Sequence, residues 1–152
     1  MKKFVQLMLA PVALIVALLA TVLPSEAFTY SATVKTNRMT AVRDTWGASA
    51  KLKVYHSDGT TLCGTFTLSA TTADSTVSGS VLTIKFTGNS ASQTISAANT
   101  CTATSAKITT SADVDVITSF TVGTSGSDIN LNNTSITSGQ SVTISAASLT
   151  HN

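Results

Sequence analysis

The chain has 152 residues, 43% hydrophobic and 11% charged, with a net charge of +2. That length allows one domain with a modest core. Ser and Thr fill roughly a third of it, a bias towards pleated structure and against the high net charge of a disordered chain.

Residues 1–27 read as an apolar N-terminal segment. Lys2 and Lys3 precede an apolar stretch from Phe4 to Leu23, and Ser25-Glu26-Ala27 places small residues where signal peptidase inspects them. Three fates stay open: cleavage after Ala27, retention as a membrane anchor, or burial between subunits. The stretch approaches the ~20 residues that span a bilayer, and Pro11 interrupts it.

Residues 28–47 form the helical unit. Thr29 to Trp46 is the helix candidate, with Ser31 as N-cap and Gly47 as the stop. Val34, Ala41, Val42 and Trp46 fall on one helix face, with Lys35, Arg38 and Arg43 expected largely off it. Arg38, Val42, Arg43 and Trp46 are the interface candidates, the arginines at a rim and Trp46 nearer its centre. Lys35, Arg38, Arg43, Lys51 and Lys53 lie close in sequence, opposed there only by Asp44. They read as a solvated face or as a surface for an acidic partner. No aromatic stacking platform accompanies them, which argues against nucleic acid.

Residues 48–152 form the β-domain. Lys51–His56 alternates, and Asp58-Gly59 predicts a hairpin to a strand over 61–69. Val81 to Thr87 points Leu82, Ile84 and Phe86 inward, and Gly88-Asn89 breaks it. Residues 89–105 are small and polar and read as a loop or a weak edge strand. Strands resume over 106–110 and 114–122. In the last strand Val142 and Ile144 share a parity that Leu149 does not, so a bulge at Ala146-Ala147 is predicted. About seven or eight strands predict an all-β, antiparallel sandwich or jelly-roll-like domain with one short N-terminal helix.

Cys63 and Cys101 are an even pair behind an export-like segment, the pattern of one disulfide. In a cytosolic particle they read as buried thiols instead. His56 and His151 are too far apart in sequence to suggest a zinc site with them. Asp113 and Asp115 read as solvated residues, as paired carboxylates, or as a calcium site with Asp128. The chain contains no G-x-S-x-G, S-x-x-K or H-E-x-x-H. No catalytic residue, metal or cofactor is assigned, and the expectation is a protein that is not an enzyme.

The block 119–149 carries a longer pattern: Gly123, Thr124, Gly126, Ser127, Asp128, Ile129, Leu131, Asn132, Asn133, Ser135, Ile136, Gly139, Gln140, Val142 and Ile144. It resembles the closing segment of small virion structural proteins of tailed bacteriophages and prophages. Asn37 and Arg38, then Gly47 and Leu52-Lys53-Val54-Tyr55, follow the order of that family's opening helix and first strand. The chain departs from the family where Asn37 and Arg38 are adjacent and where residues 1–27 precede the helix. The resemblance implies a decoration, neck or fibre subunit, located in the virion, whose partners are itself and other structural proteins. Membrane contact is expected only through a retained N-terminal segment. An exported periplasmic or extracellular surface or filament protein is the alternative, followed by a carbohydrate-binding module.

Overall fold

The computed structural model describes residues 29–150, so the apolar segment, its signal or anchor reading and His151 lie outside the described residues. One α-helix, α1 (Ala32–Trp46), precedes the strands. These are β1 (Lys51–His56), β2 (Leu62–Thr67), β3 (Thr76–Ser78), β4 (Val81–Thr83) and β5 (Gln93–Ser96), then β6 (Cys101–Thr109), β7 (Asp115–Gly123), β8 (Ile129–Leu131), β9 (Ser135–Ile136) and β10 (Ser141–Thr150). The fold is all-β with a single short helix among the described residues.

The strands form one curled sheet in the order β2-β1-β6-β7-β8-β10-β4-β3, with β5 beside β10 and β9 beside β6. Its two ends approach each other. Leu68, just past β2, bridges Phe86, just past β4, and the Ser69 amide donates to the Lys85 carbonyl at 3.0 Å. Curling removes most of the free edge that an open sheet would present.

The core follows from the alternation. Leu52, Val54, Phe66, Leu82, Ile84, Phe86, Ile108, Leu131 and Ile144 are all buried. Regular pairing of β4 stops at Thr83, yet the inward parity runs on to Phe86, with the Ile84 amide donating to the Ala147 carbonyl at 3.0 Å. In β10 the register slips between Ile144 and Ala146, the bulge that brings Ala147 and Leu149 back to the inner face. At Gly64 a Cβ would come within 2.5 Å of Ile95 Cδ1, so the missing side chain there lets Ile95 of β5 lie against β2 in its present rotamer.

Three expectations are corrected. First, the 89–105 stretch is not a loop: it holds the short edge strand β5, the weak-strand alternative, and also the first half of the long strand β6, whose small Ala, Ser and Thr residues give too little hydropathy contrast to read. Second, the sheet is not wholly antiparallel: β7 and β8 pair in parallel through Val122–Ile129 and Gly123–Asn130. Third, the inward face of α1 is carried by Met39 and Trp46, each 1% exposed, whereas Val34 is 39% exposed and Ala41 faces solvent. Val34 and Met39 lie about 140° apart around a helix, and both faces carry apolar residues. The N-cap holds as expected: Ser31 Oγ accepts from the Val34 amide at 3.3 Å, and Gly47 ends the helix at a φ of 74°.

Candidate functional site

The motif-bearing block 119–149 is occupied by its own fold. A parallel pair usually needs a long crossover, but here a five-residue loop, Thr124 to Asp128, makes the circuit. Gly126 turns it with a φ of 68°, and a Cβ at Gly123 would collide with Ser127 Oγ. Asp128 Oδ2 accepts from the Thr121 amide at 2.9 Å and from its hydroxyl at 2.8 Å. Asn130 Oδ1 accepts from the Ser127 amide, and Asn132 Oδ1 from the Thr143 amide at 2.9 Å. Asn133 closes on both backbone groups of Ser135, and Gln140 Oε1 accepts from the Thr137 amide. The polar residues that make the pattern recognisable thus satisfy backbone groups that a tight loop leaves unpaired.

The most charged surface lies on the outer face of β1 and β6. Register sets Lys53 directly opposite Lys107, a like-charge pair that is unfavourable alone. The β6–β7 turn supplies the counter-charges. Asp113 Oδ1 lies 2.9 Å from both Lys51 Nζ and Lys53 Nζ, and Asp115 Oδ1 lies 2.9 Å from Lys107 Nζ. Lys107 Nζ also sits 5.2 Å from the Tyr55 ring centroid. Hydrogen bonds from Lys51 and Lys53 hold the Asp113 carboxyl below its ordinary range. The hydrogen bond to Asp115 raises the Lys107 ammonium above its own.

This arrangement corrects the calcium reading. Asp113 and Asp115 each face lysine, while Asp128 is engaged by Thr121. Among the described residues no group of three or more His, Cys, Asp or Glu side chains gathers to hold a metal. The basic run is divided too: Lys51 and Lys53 share the single Asp113 carboxylate on the sheet, and Arg43 pairs with Asp44 at 2.8 Å on the helix.

Cys63 and Cys101 form a disulfide, with Cα atoms 5.8 Å apart and a sequence separation of 38. It joins β2 to β6, which are not neighbours because β1 lies between them. The bond therefore fastens the hairpin to the long strand beyond it. Cys63 is buried in an apolar crevice with Val54, Phe66, Ile95, Leu131, Ile136 and Val142 that has no room for water. Nearby, His56 Nδ1 lies 2.9 Å from the Thr102 carbonyl oxygen, tying the end of β1 to β6.

The four interface candidates separate. Trp46 is enclosed by its own chain, and this corrects its reading as an intersubunit hot spot. Val42 is half-buried, and Arg43 reaches the Ser75 carbonyl just before β3 at 3.4 Å, so Arg43 is engaged by the chain's own fold. Arg38 alone is exposed, its guanidinium 4.8 Å from the centroid of the exposed Tyr30 ring. The sequence reading missed the double role of Asp113, whose only sequence signal was a D-x-D next to a turn. It also missed the outward stripe of Val34, Asn37 and Ala41, which is spaced like a second helix face. No helix of the described residues is long and apolar enough to cross a membrane. No protein-family model, curated protein or solved structure matches this chain.

Proposed function

We propose that this chain is a non-enzymatic structural protein of a virion-like particle, acting through self-association and docking of a rigid β-domain. One observation carries the reading: every aspartate among the described residues has a hydrogen-bond or ion-pair partner within the chain itself. Asp44 pairs with Arg43, Asp58 ties the first hairpin, and Asp74 accepts from the Ser69 hydroxyl. Asp113 and Asp115 bind lysines, and Asp128 closes the β7–β8 loop. A carboxylate that accepts fixed hydrogen bonds is poorly suited to the proton transfers of general acid–base catalysis. The resemblance of the 119–149 block to phage virion proteins points the same way. The barrel-like closure, disulfide and hydroxyl-rich outer faces suit a domain displayed on a particle, since burying a hydroxyl against a neighbour costs less than burying a charge.

The disulfide favours a second reading, an exported surface or filament protein, because such bonds persist in oxidising compartments. Two measurements on material from the native source test these readings. In a density gradient the chain is expected in a fast-sedimenting particle; recovery only with slow, soluble proteins contradicts the structural reading. Intact mass separates the compartments: loss of Met1 to Ala27 supports export, and a mass that retains them supports an anchored or particle-buried segment.

A further inference from the structure

The outward face of α1 is complementary to itself. It carries Val34, Asn37, Arg38, Ala41, Asp44 and Thr45, all exposed. Ala41 lies midway between the cation and the anion of this face, three residues from Arg38 and three from Asp44. When two such helices lie antiparallel with Ala41 opposite itself, Arg38 of each copy meets Asp44 of the other. Asn37 likewise meets Thr45. No like charges oppose each other, and the small Ala41 lets the backbones approach at the crossing point.

We propose that α1 docks against α1 of a second copy of this chain, antiparallel, about a two-fold axis at Ala41. The proposal rests on the self-association reading and names its contact. The interface is isologous, so each favourable pair occurs twice. The donors and acceptors are already placed. The Tyr30 ring, 4.8 Å from the Arg38 guanidinium, orients that side chain. Arg43 engages Asp44 Oδ1 at 2.8 Å, and the Asp44 side chain stays 52% exposed, so the carboxylate remains open to a further donor. Thr45 Oγ1 donates to the Ala41 carbonyl at 2.8 Å, which leaves its lone pairs for the Asn37 amide of the second copy. The surface is separate from the Met39–Trp46 face, which stays packed on the β3–β4 end of the sheet. A single helix pair buries less than the ~1,200 Å² of a standard interface. The dimer therefore dissociates on dilution and is read at high protein concentration.

Cross-linking of the full chain tests it. Cys63 and Cys101 are already bonded, so a cysteine introduced at 41 is the one reactive thiol among the described residues. Under mild oxidation Ala41→Cys is expected to give a disulfide-linked dimer. Val34→Cys is not, because in the antiparallel pair its two copies sit about 21 Å apart along the helices. In the Ala41→Cys background, Arg38→Asp or Asp44→Arg alone is expected to slow dimer formation several-fold, and the two together to restore it. Trp46 fluorescence confirms that each variant keeps its fold. Equal cross-linking of Val34→Cys, or a double charge swap as slow as either single, overturns the proposal. So does a protein that never cross-links through Ala41→Cys. If the chain still sediments in a particle in those cases, assembly stands and uses another surface.

Discussion

Asp58 sits at the tip of the β1–β2 hairpin, where its carboxylate accepts from the Thr60 amide, the Thr61 amide and the Thr61 hydroxyl at 2.9, 2.8 and 2.6 Å. The Thr61 hydroxyl bond, then the two backbone bonds, hold its acid well below the ordinary carboxylate range. A carboxyl whose folded pKa is depressed contributes stability above its unfolded value of about 3.9, and loses it as pH falls through the folded value. Asp113 shifts in the same direction. Asp58→Asn is therefore expected to lower the urea midpoint at pH 7, and the gap to the parent narrows as pH drops below about 4. A gap of the same size at pH 7 and pH 2 would contradict this. Lys107, shifted upward, contributes below about pH 10.4 and is lost only as pH rises through its folded value. The cysteines act through the unfolded chain instead. Replacing Cys63 and Cys101 with Ser removes a cross-link over 38 residues and is expected to cost about 3–4 kcal/mol in chemical denaturation. A loss under about 1 kcal/mol would mean the reduced chain is already held compact.

Among the elements, the β7–β8 loop depends most on residue identity. Gly123→Ala brings a methyl against the Ser127 hydroxyl, which must rotate aside, so the expected cost is below about 1 kcal/mol. Adding Ser127→Ala should recover part of that loss; a pair no better than Gly123→Ala alone would place the strain elsewhere. For α1, Trp46→Ala opens a cavity and is expected to cost about 3–5 kcal/mol of fold stability, read by the thermal midpoint of the monomer. An unchanged midpoint would refute its place in the core. Much of this was legible in the sequence. The Asp58-Gly59 hairpin, the Leu82, Ile84 and Phe86 parity, the Ser31 cap and the Ala146-Ala147 bulge each rest on a local rule. The rest depended on distant partners. The inward face of α1 was ambiguous because Val34 and Ala41 mimic Met39 and Trp46. The parallel β7–β8 pair rests on one carboxylate reaching back to Thr121, which no periodicity encodes. The face-to-face lysines, Lys53 and Lys107, exist only once β1 and β6 are in register.

At the scale of the molecule, the sheet curls until its ends meet at Leu68 and Phe86, the disulfide spans β1, and α1 packs over the β3–β4 end, which together remove most of the free edge. Growth by strand addition is disfavoured where edges are covered, so the proposed self-association would use side-chain surfaces. The outward helix face is one such surface. The polar sheet faces, with pairs such as Thr94 and Thr143 joined hydroxyl to hydroxyl at 2.7 Å, are others. Under the proposed structural role the chain would be recovered as a repeated component and not as a free chain. The most direct measurement is the mass of the native complex from its source, by native mass spectrometry or light scattering on gradient-purified material. The account predicts an assembly holding the chain in a fixed, repeated copy number. A free monomer near 15.6 kDa at every concentration, with no structural protein bound, would contradict it.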